Sequence, residues 1–367
     1  MSRSQLHLKG IPLTSRSRRK KPVEKQAKRK KSRAVARSSF VLAELSYQRG
    51  DIGKAMQLLK RLRNTDSKPG FQEENLYGCT LGLAMEFDEA IVVFEKLSHM
   101  FKHRVLQYEK AKFNLGLTCL FRDLALFGDL SIAKQSMLGQ NLTGNGLLQV
   151  KNLENAFEDA ITVWNQLLPN TNNYRAIVLT YLAFAYMMKG DLQKALERIQ
   201  EALSLSSSLY VTQFVAARLF LEFAFMVEDG IGFTLSPETF EFFGCLEEDI
   251  IQKEGSRFRV YSDTFIRIAH DFLADALQKN PHAPELHIGL VICYYFLDYA
   301  DALQQYLSNA EALIPDSKVL RDTVYWLISQ SSGSPEEFGQ ILNRLKEMAK
   351  EPNQKHVFHI VAPYYLI

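Results

Sequence analysis

The chain has 367 residues, 47% of them hydrophobic and 23% charged, an ordinary globular composition. Gly 19 and Pro 11 are few for this length, which favours long helices over turn-rich folds. The net charge of +3 hides a segregation: residues 1–37 carry 14 Lys/Arg against the single acid Glu24, a balance of +13, which leaves 30 basic and 40 acidic residues, a balance of −10, over 38–367. No apolar run reaches the ~18 residues of a spanning helix, so the sequence predicts no membrane span.

Residues 1–37 hold two dense clusters: Arg16, Arg18, Arg19, Lys20, Lys21, and then Lys28, Arg29, Lys30, Lys31, Arg33. Such a block repels itself and has little to bury, so a disordered basic tail is expected up to Ala36. Its chemistry suits RNA, DNA or another polyanion. The paired clusters also fit a bipartite nuclear address. A solubilising tail is the plain alternative. A transit peptide fits less well, because such peptides favour Arg and Ser over Lys. No aromatic residue lies in 1–37, so base stacking by the tail is not expected. The start also lacks an apolar secretory core, which predicts an intracellular, cytoplasmic chain, nuclear if the address is read.

From residue 38 a repeated pattern begins. Leu42-Ala43, Gly50-Asp51-Ile52 and Ala55 match Leu182-Ala183, Gly190-Asp191-Leu192 and Ala195. A third copy carries Gly78, Phe87, Ala90, Phe94 and Leu97 at the same places. Ala55 and Ala90 are 35 residues apart, as are Ala160 and Ala195. Each unit reads as an amphipathic helix, a glycine turn and a second amphipathic helix. Small residues at the crossing (Ala43, Gly78 and Ala183 against Ala55, Ala90 and Ala195) let two axes approach to roughly 8–10 Å. Larger residues such as Phe94 are expected to fill the groove against the next unit. One pair alone cannot bury its apolar face, so units stack.

These residues resemble the tetratricopeptide repeat family, whose unit is a 34-residue helix pair. The resemblance implies an all-α, right-handed superhelical solenoid of antiparallel helix pairs over 38–350, with 351–367 an apolar C-terminal extension. Residues 174–205 match best; 38–65 and 72–99 match well. The stretch 284–314 matches through Gly289, Tyr299, Ala302 and Tyr306, and 258–281 supplies half a unit. The pattern is irregular at 115–160, where a turn at Gly128-Asp129 competes with a register through Asn155, Ala160 and Trp164. A lengthened pair with a projecting loop at 138–150 is expected there. It is irregular again at 209–258, with a helix over 209–228 and another capped by Ser236 with Pro237 at its first position. Ser334 opens the last clear helix with a capping box.

No catalytic constellation stands out, and a non-enzymatic chain without cofactor, metal or small-molecule substrate is the reading. Cys79, Cys119, Cys245 and Cys293 form no C-x-x-C pair and sit in apolar helical patterns, so buried free thiols are expected. His99 and His103 have ligand spacing but no partner carboxylate, and His356 and His359 are read the same way. The loop at 142–146 lacks the Gly-Lys-Ser/Thr ending of a phosphate loop.

In the family that the repeats resemble, first helices line a groove that receives a partner segment. Here Thr180, Phe184, Met187 and Met188 would face it in the best unit, and Phe40, Glu44 and Tyr47 in the first. The Lys and Asn positions that hold a C-terminal carboxylate in some members are not matched. What remains is apolar and suits an amphipathic or extended segment, while inter-unit packing is the competing role for the same residues. The expected function is a protein–protein scaffold or adaptor with a polyanion-tethering tail. An assembly chaperone or regulatory subunit, and an RNA-processing or ribosome-associated factor, are the alternatives.

Overall fold

A computed structural model describes residues 37–64, 69–137, 155–228, 230–281, 283–297 and residue 306. Both basic clusters, the loop at 138–150, the Ser334 helix and the segment 351–367 lie outside these residues. The described chain is a TPR-like array of antiparallel helix pairs. The pairs are α1 (37–48) with α2 (Ile52–Arg63), α3 (Phe71–Leu83) with α4 (Phe87–Met100), α5 (Val105–Met137) with α6 (Glu158–Leu167), and α7 (Arg175–Lys189) with α8 (Leu192–Leu205). A fifth pair joins α9 (Tyr210–Glu228) to a helix beyond an insertion, as described below.

The turns show why the units repeat. Gly50 (φ 77°) and Gly190 (φ 85°) are left-handed, and the next amide reaches back five residues, Asp51 N to Ser46 O and Asp191 N to Tyr186 O. This six-to-one closure satisfies carbonyls at the helix end. The aspartate then caps the following helix by accepting from Lys54 N at 3.1 Å or Lys194 N at 3.3 Å. In the third copy Met85 takes the glycine's place at φ 62°, with the same Glu86 N to Leu81 O bond.

The two helices of a pair are buried differently. Second helices bury one stripe: Ala90, Val93, Phe94 and Leu97 on α4, and Ala195, Leu196, Ile199 and Ala202 on α8. First helices are enclosed on most sides. Every residue from Glu74 to Leu83 of α3 is buried, as are Val178 to Ala183 of α7. Each first helix packs on its own second helix, on the second helix of the unit before and on a neighbouring first helix. The small-residue crossing holds, with Ala43, Ala55, Ala90, Ala183 and Ala195 fully buried. Phe94 differs from expectation: its ring lies over Gly78 of its own unit rather than in the seam to the next.

Two irregularities resolve. The chain does not turn at Gly128-Asp129; α5 runs through to Met137, and the Asn155 to Trp164 register supplies α6. In the fifth unit α9 pairs with α11 (Ser262–Lys279), and an insertion separates them. It contains β1 (Thr234–Leu235), α10 (Pro237–Phe242), β2 (Ile250–Glu254) and β3 (Arg257–Val260). The antiparallel order is β1-β3-β2, with Thr234 opposite Arg259 and Lys253 opposite Phe258. Ser236 caps α10 by accepting from Thr239 N at 3.2 Å, with Pro237 first in the helix, as expected. The strands were not expected. Residues 258–260 belong to β3, so the half unit assigned to 258–281 begins as a helix only at Ser262.

Aromatic rings dock the insertion. Phe233 stacks on Phe223 of α9 at 3.9 Å, and Phe243 meets Phe220 edge-on at 4.6 Å. Beyond α11 comes α12 (Pro284–Phe296), which packs on it. The buried His287 ring of α12 donates from Nε2 to Pro281 O at 2.8 Å, so the neutral ring's Nδ1 accepts from Tyr306 at 2.6 Å. By length and composition α9 does meet the criterion for a membrane span over Tyr210–Val227, contrary to the sequence expectation. Yet 61% of that window is buried, and the helix is sandwiched between α7, α8 and α11.

Candidate functional site

The face built by the first helices is the candidate interaction surface. Polar ties in its seams fix the register between neighbouring units. Between α3 and α5, Asn114 Nδ2 donates to Asn75 Oδ1 at 3.1 Å, both side chains being buried. Between α7 and α9, Thr180 donates to Ala176 O at 2.8 Å, so Thr212 donates to Thr180 at 2.8 Å. A satisfied polar pair in a buried seam specifies one register, because any slip leaves a buried donor without an acceptor.

Burial sorts the residues that the sequence pointed to. Thr180 is fully buried, Tyr47 is 2% exposed and Met187 is 6% exposed. These three pack the seams instead of lining an open groove, because first helices are enclosed by neighbours. Phe40, Glu44, Phe184 and Met188 keep partial access to solvent on the same face. Asn75, which sits at a carboxylate-holding position of the resembled family, is committed to the seam.

The long α5 is locked to its partner helix by an acid. Asp123 Oδ2 accepts from Phe157 N at 2.7 Å, and Phe157 stands left-handed (φ 70°) at the start of α6. Arg122 pairs with Asp123 at 3.0 Å and Asp159 at 2.9 Å. Burial opposes the Arg122 charge, but its bond to Asp159 and the Asp123 carboxylate outweigh that and hold the guanidinium more firmly protonated. A ring triad of Phe113, Trp164 and Tyr181 joins α5, α6 and α7, with centroids 5.6–6.2 Å apart.

The four cysteines are free and buried, as expected. Burial pushes the thiols of Cys119 and Cys293 up to about 12 and that of Cys245 up to about 11, and raises Cys79 further still. Such thiols are poor nucleophiles. Among the described residues no group of three or more His, Cys, Asp or Glu gathers for a metal, and His99 and His103 are exposed. A cleft of 460 Å³ beside the insertion is lined by Asp249, Tyr261, Asp263, Thr264, Arg267 and His270. Its chief charges are engaged with each other: Arg267 Nη2 donates to both Asp249 oxygens, at 2.9 and 2.7 Å, and Thr264 donates to Asp249 at 3.0 Å. That network anchors the insertion to α11.

Sequence reading missed the inserted sheet and the arginines on it. The available signal was Gly255-Ser256 between two short runs rich in Ile, Phe and Val, a hairpin pattern.

The likeness to solved structures is one of fold. A TPR protein of Thermus thermophilus, TTC0263, is 18% identical, with 61% of this chain and 96% of that one covered and a TM-score of 0.37. The human IFIT1 dimer solved with PPP-AAAA is 15% identical over 89% of this chain and 73% of that one, with a TM-score of 0.43. Yeast Tom70 is 10% identical over 89% and 72%, with a TM-score of 0.32. No protein-family model matches the chain, and no curated protein does.

Proposed function

We propose that the chain is a non-enzymatic interaction scaffold. Its first-helix face takes an apolar segment of a protein partner, and its basic segment at 16–33 tethers the assembly to nucleic acid or another polyanion. One observation carries the first half. On helices otherwise enclosed, Phe184 and Met188 retain access to solvent one turn apart, which supports a strip able to receive apolar side chains. Methionine beside an aromatic ring suits a surface that adapts to its ligand. The tether half rests on the charge segregation of +13 against −10.

The test is affinity capture with the full chain at low and high salt, with and without nuclease. Protein partners held by the first-helix face should survive both treatments and be lost in a Phe184→Ala/Met188→Ala variant of unchanged melting temperature. Polyanion retention should be lost at high salt and on neutralising the basic clusters. Capture that is indifferent to the double variant would overturn the first half. Nucleic-acid retention that is indifferent to the clusters would overturn the second. An assembly-chaperone role shares the first half and differs in needing no basic segment.

A further inference from the structure

The inserted sheet has one face that is chemically unfinished. Strand β3 alternates, so Phe258 and Val260 point one way and Arg257 and Arg259 the other. The inward face is accounted for: Val260 and Leu235 are fully buried, and Phe258 meets Phe240 at 4.8 Å. On the outward face both arginines lie over the segment that leads into β1. Arg257 donates from Nε to Thr234 Oγ1 at 2.8 Å, and from Nη2 to Thr234 O at 2.7 Å and Gln193 Oε1 at 3.4 Å. Every one of those acceptors is neutral. Arg259 lies against Gly232, where an added Cβ would stand 3.6–3.8 Å from its guanidinium.

Arg259 has no compensation. Its Nε is buried without a hydrogen-bond partner, and among the described residues no carboxylate pairs with it. Glu254 stands opposite Arg257 on β2 and Gln252 opposite Arg259, yet Glu254 is exposed and pairs with neither arginine. Two half-buried guanidiniums thus sit two residues apart on one strand, with only neutral acceptors in contact. A buried polar atom left unmatched is rare, and on a cation it marks the place of a missing acceptor. The Nε–Nη edge of a guanidinium matches two oxygens of a tetrahedral or planar oxyanion. Gln193, in the first turn of α8, places that helix's N-terminal end beside the pair.

From this geometry we infer that the Arg257/Arg259 face of the inserted sheet is a binding site for a phosphate group, with Arg259 as its forked donor and Arg257 as the second charge. The phosphate is either free or part of a nucleic-acid backbone. The site is independent of the basic segment at 16–33 and of any protein partner.

The experiment uses the full chain and titrates inorganic phosphate against chloride at matched ionic strength, with heat of binding and melting temperature as readouts. The wild type should bind phosphate saturably and melt higher as it does so. Arg259→Gln should weaken binding about tenfold or more, since one charge-assisted fork is removed. Arg259→Lys, which keeps the charge and loses the fork, should fall between them. A short single-stranded oligonucleotide distinguishes the sources: an affinity that drops in Arg259→Gln assigns the site to backbone phosphate, and an unchanged one assigns it to free phosphate. Stabilisation that chloride reproduces, or that is equal in all three proteins, would sink the inference, leaving water as the acceptor at Nε. If Arg259→Gln melts lower in chloride, the lysine variant alone decides, by the loss of phosphate affinity at unchanged melting temperature.

Discussion

Gly116 of α5 lies flat against the Trp164 indole of α6: a Cβ built on the glycine would stand 2.5 Å from Trp164 Nε1 and 2.6 Å from Cε2. Gly78 and Phe94 repeat the relation one unit earlier, with the nearest ring atom at 2.7 Å. Aromatic rings on second helices therefore reach the first-helix backbone itself, and a glycine is what admits them. The indole cannot step aside. Its Nε1 donates to Phe113 O at 3.3 Å, and Phe113 and Tyr181 flank it.

Gly116→Ala should accordingly lower stability by roughly 2 kcal/mol, the overpacking cost exceeding the gain in helix propensity. Gly53 is the control. Nothing lies within 4 Å of a Cβ there, so Gly53→Ala on α2 should raise stability by about 0.5 kcal/mol. Urea denaturation of the two variants beside wild type checks both signs. Equal effects would mean that Trp164 yields.

Met85 offers the opposite opportunity. It holds the left-handed turn that Gly50 and Gly190 make elsewhere, and as a non-glycine it is strained there by about 1–2 kcal/mol. It is also exposed, so little packing is lost with its side chain. Met85→Gly should stabilise the protein by up to about 1 kcal/mol after the added freedom of the unfolded chain is set against the strain relieved. A lower melting temperature in the variant would contradict this.

These glycines explain what the sequence made legible. Gly50-Asp51 and Gly190-Asp191 announce their turns because left-handed backbone and helix capping both demand particular residues. Ala55, Ala90, Ala160 and Ala195 announce the period because close crossing demands small ones. The seam roles of Thr180, Tyr47 and Met187 were not legible. Position within a unit says which way a side chain points, but enclosure depends on the neighbouring unit. The turn expected at Gly128-Asp129 failed because the same dipeptide is tolerated inside a long helix when no second-helix stripe follows it at the right distance. The inserted sheet was hidden by its shortness: β1 has 2 residues and β3 has 4, too few for an alternation to outweigh a helical context.

Asp123 should prove to be the clamp on the longest helix. Asp123→Ala leaves the buried Phe157 amide without its acceptor and removes one of the two carboxylates paired with Arg122. A loss of about 1–3 kcal/mol is expected, the penalty for a buried group left unmatched. Asp123→Asn keeps an oxygen for the amide and should lose less. Thermal melts of the pair test the ordering, and a reversal would show that charge, not capping, is what Asp123 supplies.

The thiols predict a pH dependence of definite sign. Free of the fold, each ionises near its ordinary value of 9.0, whereas within it Cys245 holds its proton to about 11 and Cys119 and Cys293 to about 12, chiefly through burial. Between those limits the unfolded chain binds fewer protons than the folded one, so stability falls as pH rises. The contribution is intact below pH 9 and drains away through the interval from 9 to 12. The urea midpoint should therefore decline from pH 8 to pH 10.5, and the decline should be shallower in Cys119→Ala than in wild type. Alkylation at pH 8 should be slow in buffer and fast in urea, because only unfolding exposes these sulfurs to ionisation. Rapid labelling of Cys119 in buffer alone would show that the α5–α6 seam opens far more readily than its packing implies.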